Sequence, residues 1–330
     1  MNWKGKRVLV TGAGGFIGSH LTEALLARGA RVRGMVRYNS RSLEGHLDEI
    51  PNPLRRNLEV FPGDVTDPFC VREAVRGRDT VFHLAALIAI PYSYQAPASY
   101  VQTNVTGTLN ILDACLRGKV KRVVHTSTSE VYGTARYVPI DEEHPLHGQS
   151  PYSASKIGAD QLAESFYRSF GLPVSIVRPF NTYGPRQSAR AVIPTIVTQL
   201  LAGKKEIRLG SLNPVRDFNF VSDTVEGFIA AAASPKSVGE VINIGSGRGI
   251  SIRDTVSEAF RATGARAKIV ADSKRIRPEK SEVFRLIAGN AKARKLLAWR
   301  PRRDIRYGML RVVEYLQRNA SAYKENRYTV

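Results

Sequence analysis

Residues 6–18 read KRVLVTGAGGFIG, a short apolar run that leads into a cluster of glycines. The apolar run predicts a buried strand, and the pattern at 19–28 predicts a helix. Gly12, Gly15 and Gly18 are spaced three apart between them. At such a junction the glycines permit a tight turn, close approach of the backbone to a pyrophosphate, and close packing of helix on sheet. The stretch therefore predicts a dinucleotide-binding turn at a helix N-terminus.

Strand-like and helix-like segments alternate over the first half of the chain. Further strands are predicted at 30–36, 58–61, 80–84, 122–126 and 174–178. Helical patterns lie between them, notably at 100–117 and 153–170. Such alternation predicts an α/β fold with a doubly wound, Rossmann-type parallel sheet covered by helices on both faces.

The alternation breaks after Pro179, where a second, smaller region is expected. A helical segment at 193–202 lies between glycine and proline turns, and a strand-like run at 241–244 can return to the main sheet. We expect an NAD(P)-binding domain and an interleaved C-terminal substrate-binding domain. The first comprises residues 1–180 plus about 216–245, and the second about 181–215 plus 246–330.

The composition fits an ordinary folded enzyme with a basic surface. The chain has 330 residues, 43% hydrophobic and 24% charged, with a formal net charge of +20. Residues 248–330 hold 21 lysines and arginines against 8 acidic residues, so they carry 13 of these charges. No nucleic-acid-binding motif accompanies the charge, so a basic surface around a site for a diphosphate substrate is favoured over a nucleic-acid partner.

Cysteine usage and hydropathy bear on location. Cys70 and Cys115 are isolated, with neither metal-site nor redox spacing, so no metal is expected and a reducing cytoplasm fits best. The longest apolar stretch, 81–90, is too short to span a bilayer, and no secretory signal pattern is present. We therefore expect a cytoplasmic protein without a membrane partner.

The end of the second predicted strand bears on the cofactor. Residues 35–41 read MVRYNSR and offer no acid for a ribose 2′-hydroxyl. Arg37, helped by Ser40 or Arg41, can instead hold a 2′-phosphate, which favours NADP and leaves NAD open. Stacking of Arg37 on adenine is the alternative. Asp64, after the third strand, is placed to meet the adenine amino group, or simply to cap backbone N–H groups in its turn.

A tyrosine and a lysine four residues apart suggest redox chemistry. Tyr152 and Lys156 share one face of a predicted helix. A tyrosine must lose its proton to act as a base, and its unperturbed pKa is about 10. A neighbouring ammonium and a positively charged nicotinamide both favour the phenolate, and Lys156 can also hold the nicotinamide ribose. The pair is accompanied by HLAA at 83–86 and STSEVYG at 127–133.

With Asn104, RPFN at 178–181 and Arg277-Pro278, these motifs make the chain resemble the extended short-chain dehydrogenases/reductases over nearly its whole length. That family comprises nucleotide-sugar epimerases, dehydratases and decarboxylases. The resemblance implies a homodimer through helices 100–117 and 153–170, with a tetramer left open. The expected cofactor contacts are Gly12, Gly15, Phe16, Ile17, Gly18, Arg37, Asp64, Val65, Leu84, Ala85, Ala86, Tyr152 and Lys156.

The segment after Ser127 favours one branch of that family. Thr128-Ser129-Glu130 resembles the sugar 4,6-dehydratases. By that resemblance Thr128 hydrogen-bonds the sugar 4-hydroxyl, and Glu130 is the base for C5. Glucose-type dehydratases have Asp at the middle position as the acid, whereas Ser129 is similar to the mannose-type enzymes. The acid is thus left open, and Glu130 can return its proton to the departing 6-hydroxyl.

Two segments narrow the expected substrate. LIAIPYSY at 87–94 and FNTYGPRQS at 180–188 resemble 4,6-dehydratases of nucleotide-linked N-acetylglucosamine that lead to legionaminic-acid-type sugars, with UDP or GDP left open. Arg216 and Arg277 are candidates for the diphosphate, because guanidinium matches phosphate oxygens bidentately. Asp217 is an alternative partner that neutralises Arg216. The expected substrate contacts are Ile88, Ser127, Asn181, Arg186, Arg216 and Arg277.

Three rival functions remain. Nucleotide-glucuronic acid decarboxylases share the Thr-Ser-Glu, Tyr and Lys set but need a cation for the C6 carboxylate, and residues 88–94 offer none. A 4-epimerase of the same family is the second rival. The third is a cofactor-binding, RNA-associated protein without catalysis, against which the intact Tyr/Lys/Thr/Glu set argues.

Overall fold

The computed structural model describes residues 2–272, 275, 278–320 and 323. The strands are β1 (Arg7–Thr11), β2 (Arg31–Val36), β3 (Leu58–Pro62), β4 (Thr80–His83), β5 (Arg122–Thr126), β6 (Val174–Pro179), β7 (Asn181–Tyr183), β8 (Glu206–Leu209), β9 (Val215–Arg216), β10 (Phe218–Phe220), β11 (Val241–Ile244), β12 (Ile250–Ser251) and β13 (Lys268–Ala271). The helices are α1 (Phe16–Ala27), α2 (Asn52–Arg55), α3 (Pro68–Val75), α4 (Ile90–Gln95), α5 (Pro97–Tyr100), α6 (Gly107–Arg117), α7 (Pro151–Phe170), α8 (Val192–Leu201), α9 (Val221–Ala233), α10 (Ile252–Thr263), α11 (Ala291–Leu297) and α12 (Ile305–Arg318).

Seven strands form one parallel sheet in the order β11-β6-β5-β4-β1-β2-β3. The predicted α/β fold with a doubly wound, Rossmann-type sheet is thereby confirmed. The strand order reverses between β1 and β4, and ligands of such sheets bind in the crevice beyond the carboxyl ends of the strands at that point. The glycine turn leaves β1 at this crevice.

Alternate side chains of β1 supply the cores on the two faces of the sheet. Val8 and Val10 belong to one core, which includes Leu21 of α1 and Phe228 of α9. Leu9 points to the other core, which includes residues of α3, α6 and α7. Because successive side chains of a strand point to opposite faces, the three consecutive apolar residues Val8, Leu9 and Val10 are what a sheet covered on both sides requires.

A π-helical turn, Val101–Thr106, interrupts the helix expected at 100–117. Asn104 lies in this turn and is buried. Its side-chain amide donates to the Leu87 carbonyl oxygen (3.0 Å) and the Ser155 hydroxyl (2.9 Å), and its carbonyl oxygen accepts from the Leu87 N–H (2.9 Å). The turn thus presents one amide to both the segment after β4 and α7, contacts that helical periodicity does not reveal.

The chain beyond β6 returns once to the main sheet, because β11 pairs in parallel with β6 as predicted for residues 241–244. Outside that sheet, three two-stranded ladders join β7 to β10, β9 to β12 and β8 to β13. The division of the chain into two interleaved domains stays a prediction. In the part of the chain that the structure describes, no helix is both long and apolar enough to cross a membrane.

Candidate functional site

The glycine turn brings backbone close to backbone. Gly12 adopts a φ of +70°, and a Cβ there would lie 2.9 Å from the Ala85 nitrogen. A Cβ on Gly18 would collide with the Gly12 carbonyl oxygen. Only glycine fits these positions without displacing the backbone. The predicted roles of the two glycines, a tight turn and close helix packing, match this geometry.

The segment after β4 lies against the same turn. The Thr11 hydroxyl accepts hydrogen bonds from the N–H groups of Leu84 and Ala85, each at 3.1 Å. The first turn of α1 begins at Phe16 and Ile17, where helix geometry leaves N–H groups available to an anion. Gly15 caps this helix through its backbone. A cradle that glycines alone can form, ending in a helix N-terminus, fits the pyrophosphate of a dinucleotide.

Arg37 and Asp64 meet at the far end of this cradle. Arg37 directly follows β2, its side chain is 82% exposed, and its Nε lies 3.9 Å from an Asp64 carboxylate oxygen. The other Asp64 oxygen accepts from the Thr66 N–H (2.9 Å) and hydroxyl (2.8 Å). One Asp64 oxygen therefore caps the backbone of its own turn, which is the second of the two roles predicted for this residue. The other carboxylate oxygen faces Arg37. Val65 is buried beneath Gly107.

The start of α7 places the tyrosine and the lysine. Ser150 and Ser153 form a capping box in which each side chain bonds the other's backbone N–H, and proline occupies the first helical position. Tyr152 therefore lies in the first turn, where the helix dipole favours negative charge. Lys156 follows one turn later, and both side chains are more than nine-tenths buried.

Burial governs the protonation of this pair. Loss of water around Tyr152 raises the pKa of its phenol, as does the nearby Glu130 carboxylate, while a hydrogen bond with the Thr128 hydroxyl lowers it. Burial lowers the pKa of Lys156 to about 8, against the opposing effect of the Asp160 carboxylate. The phenol needs a further positive charge beside it to ionise, and a bound oxidised nicotinamide carries one.

Thr128, Ser129 and Glu130 follow β5 at its carboxyl end. The Thr128 hydroxyl accepts from the Glu130 N–H at 3.2 Å and so caps the 3₁₀ turn Ser129–Tyr132. Ser129 is 3% exposed, whereas Glu130 is half-buried. The Thr128 hydroxyl also hydrogen-bonds the Tyr152 phenol, and the Glu130 carboxylate is near enough to raise the pKa of that phenol.

A cavity of about 260 Å³ opens beside this cluster. Its lining residues are Ala86, Leu87, Ile88, Ala89, Tyr92, Tyr100 and Arg190. The ring of Tyr100 packs edge-on against Tyr152, with centroids 6.2 Å apart. The cavity therefore brings Ile88 and Ala86, which were predicted as substrate and cofactor contacts, together with Arg190, for which the sequence predicted no role. Residues 88–94 contain no cation, but Arg190, about a hundred residues later in the chain, lines the same cavity.

Three other expected substrate contacts have different surroundings. Ser127 donates its hydroxyl to Asp160 at 2.7 Å and is buried. Arg186 pairs with the carboxylates of Glu23 (2.8 Å) and Glu49 (3.4 Å). The buried side-chain oxygen of Asn181 has no hydrogen-bond partner among the described residues, so it can accept a hydrogen bond from a ligand.

Of the arginines assigned to the diphosphate, Arg216 already faces a carboxylate. Its Nη2 donates to Glu282 at 3.0 Å, and both side chains are largely buried. Asp217 is not the neutralising partner, because its carboxylate accepts from the backbone N–H groups of Ser246, Gly247 and Ala288. Arg277 lies outside the described residues.

Fold and site together are typical of the short-chain dehydrogenases/reductases. A family profile described as GDP-mannose 4,6 dehydratase matches residues 9–311. The chain therefore belongs to the extended family of nucleotide-sugar dehydratases, decarboxylases and epimerases, as its motifs predicted.

Individual relatives span several activities of this family. A dTDP-glucose 4,6-dehydratase of Streptomyces antibioticus is 34% identical over 97% of this chain and 93% of its own. A UDP-N-acetyl-alpha-D-glucosaminuronate decarboxylase of Bacillus cytotoxicus is 37% identical over 80% of this chain and 83% of its own. The structure of a dTDP-glucose 4,6-dehydratase of Streptomyces venezuelae, solved with NAD bound, has a TM-score of 0.85 at 32% identity, covering 96% of this chain and 99% of that one.

Proposed function

We propose that this chain is a nucleotide-sugar 4,6-dehydratase that converts UDP- or GDP-N-acetylglucosamine to the 4-keto-6-deoxy sugar and recycles NAD(P) internally. The observation that carries the proposal is the hydrogen bond of the Thr128 hydroxyl with the Tyr152 phenol, with the Glu130 carboxylate near enough to raise the pKa of that phenol. This arrangement puts a second base beside the redox tyrosine. Oxidation at C4 needs the tyrosine alone, whereas elimination across C5 and C6 needs the additional carboxylate.

Tyr152 removes the O4 proton as C4 loses hydride, and Thr128 orients that hydroxyl. The bound nicotinamide supplies the acceptor for this hydride and later the donor to C6. Lys156 holds the nicotinamide ribose and lowers the pKa of Tyr152 by its charge. The residues of the glycine cradle, of the segment 84–86 and Val65 fit the cofactor and would hold it.

Glu130 then removes the C5 proton, which the new 4-ketone has made acidic. The C6–O bond breaks, and the hydroxyl leaves as water with the proton that Glu130 returns. Hydride returned to C6, and a proton added at C5 from solvent in place of the O4 proton released through Tyr152, complete the 4-keto-6-deoxy sugar. Ser129 occupies the position where glucose-type relatives have an acid, so Glu130 serves both as base and as acid in this account.

The sugar and its nucleotide are assigned by resemblance and by the cavity. Segments 87–94 and 180–188 resemble dehydratases of nucleotide-linked N-acetylglucosamine, and the first segment lines the cavity. We assign the nucleotide-sugar-binding domain to about 181–215 plus 246–330, with Asn181, Arg186, Arg216 and Arg277 as its polar contacts. Ile88 and Ser127, which belong to the proposed NAD(P)-binding domain, are the remaining proposed substrate contacts.

Incubation with a panel of UDP- and GDP-sugars, read by mass spectrometry and NMR, tests the proposal. The N-acetylglucosamine derivative of one nucleotide is expected to lose one water and gain a 4-ketone. Interconversion of C4 epimers without water loss would instead identify an epimerase. Salt-sensitive RNA binding without turnover of any sugar would favour the non-catalytic alternative.

Decarboxylation is the second candidate, and Arg190 favours it. Residues 88–94 offer no cation for a C6 carboxylate, but Arg190 lines the same cavity. A guanidinium there can bind a C6 carboxylate as well as a phosphate. UDP-glucuronic acid and its N-acetylated amino analogue therefore belong in the same panel, with release of carbon dioxide as the result that replaces the dehydratase assignment.

We further propose that NADP is preferred over NAD. The exposed Arg37 at the end of β2, with Ser40 and Arg41 nearby in sequence, supports this preference, since no acid follows the strand to bind a 2′-hydroxyl. The solved relative with NAD bound leaves the choice open for this chain.

Arg37→Ala is expected to weaken NADP binding tenfold or more and leave NAD binding unchanged, because a hydrogen bond to a charged group contributes ~1.5–3 kcal/mol. Titration of both cofactors by calorimetry measures the ratio. Arg31→Ala, an exposed arginine at the opposite end of β2, is the matched control. Equal weakening of both cofactors by Arg37→Ala would instead indicate stacking on adenine.

We also propose a homodimer in a reducing, cytoplasmic compartment. Exposed apolar side chains on the π turn, α6 and α7 support pairing of these helices between two copies; they include Val101, Leu109, Tyr167 and Phe170. Both cysteines are free thiols. Sedimentation analysis is expected to give twice the chain mass, and a tetramer would require a second contact surface.

A further inference from the structure

A buried carboxylate lies behind the catalytic pair, one helical turn beyond Lys156. Asp160 is 1% exposed, and one of its oxygens accepts three hydrogen bonds. The Ser127 hydroxyl donates at 2.7 Å, and the Arg178 guanidinium donates through Nε at 3.1 Å and Nη2 at 3.0 Å. Asp160 thus joins α7 to the ends of β5 and β6 within the core.

The groups around Asp160 come from five elements. Its other oxygen lies 3.3 Å from His125 Nε2 of β5. Burial lowers the pKa of His125 and, further away on β4, that of His83. Both imidazoles are therefore neutral at physiological pH. The charged groups that face this cluster are Lys156 of α7, Arg178 of β6 and, across the tyrosine, Glu130 of the 3₁₀ turn.

We propose that Asp160 is a positioning residue for the reaction, which keeps Lys156 charged and fixes the strand end that carries Thr128. The inference rests on the proposed function of Tyr152 and Lys156. Asp160 touches neither substrate nor cofactor; it acts through residues that do.

Two independent observations support it. The first is mechanical: Ser127, held by Asp160, directly precedes Thr128, whose hydroxyl bonds Tyr152. The second is electrostatic. Burial of Lys156 favours its neutral amine, and the negative charge of the Asp160 carboxylate favours the charged ammonium. Lys156 and Asp160 are four apart on α7, so they occupy the same helix face.

The sign of the expected pH effect follows from these charges. Burial holds the pKa of Lys156 at about 8, and removal of a neighbouring negative charge lowers it further. The ammonium is then lost at a lower pH, and this loss sets the alkaline limb. Asp160 also raises the pKa of Tyr152, so its neutralisation lowers that pKa too and affects the acid limb of the profile rather than the alkaline one. The alkaline limb of the pH profile therefore moves towards neutrality when Asp160 is neutralised.

Asp160→Asn tests this with the first hydride transfer, followed by absorbance of the reduced nicotinamide across a pH series. The alkaline limb is expected to move down by about one pH unit or more, in line with the effect of a close opposite charge. An unchanged alkaline limb would overturn the proposal. Because every activity of this family that oxidises C4 begins with this step, the readout holds even if the final product is not the proposed one.

Arg178 is left buried without its counter-charge in this variant, with the Tyr132 hydroxyl as a remaining neutral partner, so folding must be separated from charge. Asp160→Asn/Arg178→Met removes both charges and is expected to regain thermal stability while keeping the shifted alkaline limb. Recovery of the wild-type pH profile along with stability would show that the carboxylate matters for folding alone, which would also overturn the proposal. An enzyme without C4 oxidation of any nucleotide sugar would instead contradict the proposed function itself.

Discussion

Replacement of Tyr152 by phenylalanine is expected to lower kcat by about 10²–10⁴-fold, the range that a positioned acid or base contributes. The substitution removes one hydroxyl from a side chain that is otherwise packed against Tyr100. The cofactor cradle, built from backbone around Gly12, is untouched. We therefore expect normal cofactor binding and a rate loss that appears in C4 oxidation itself, measured by single-turnover reduction of the nicotinamide.

Tyr167→Phe is the matched control for this variant. Tyr167 lies on the same helix, α7, but its side chain is partly exposed on the surface proposed for pairing of two copies, and the substitution leaves its ring in place. It should retain full activity. A Tyr152→Phe enzyme with a kcat close to that of the unaltered protein would contradict the assignment of Tyr152 as the base.

Replacement of Glu130 by glutamine is expected to separate the two halves of the reaction. Water elimination should fall by about 10²–10⁴-fold because the amide cannot accept the C5 proton. C4 oxidation should persist. The Glu130 carboxylate raises the pKa of Tyr152, and replacing this carboxylate with a neutral amide removes that effect. The variant is therefore expected to accumulate reduced nicotinamide, visible by its absorbance, while little 4-keto-6-deoxy product forms.

Glu143→Gln provides the control, because Glu143 is an exposed glutamate in the segment that follows the 3₁₀ turn. It should leave both half-reactions intact. If Glu130→Gln still forms the 4-keto-6-deoxy sugar at the normal rate, another group abstracts the C5 proton and the assignment of Glu130 is wrong.

The parts of the fold that local sequence dictates were predictable. The apolar run of β1, the glycines that follow and the strand at Val241–Ile244 each carry their own pattern, and the structure bears out these elements. The π turn was not predictable from periodicity, because its Asn104 bonds lead to Leu87 and to Ser155, a residue 51 positions away. Such a turn depends on tertiary contacts.

The same reason explains what the sequence analysis missed around the site. Arg190 joins the cavity beside Ile88 only when the chain folds, and the 180–188 motif stops two residues before it. The partner of Arg216 proved to be Glu282, 66 positions away, rather than the adjacent Asp217. Sequence proximity suggested the wrong acid, because the Asp217 carboxylate is bound by the backbone N–H groups of Ser246, Gly247 and Ala288.

The central claim, a 4,6-dehydratase with internal hydride return, has one direct test. The protein is incubated with nucleotide-linked N-acetylglucosamine deuterated at C4, and the product is analysed by mass spectrometry and NMR. A 4,6-dehydratase is expected to give a product that is lighter by one water and carries the deuterium at C6. Deuterium retained at C4 would contradict the dehydratase assignment. Loss of carbon dioxide from the glucuronic acid analogue, together with no loss of water from any sugar, would also contradict it.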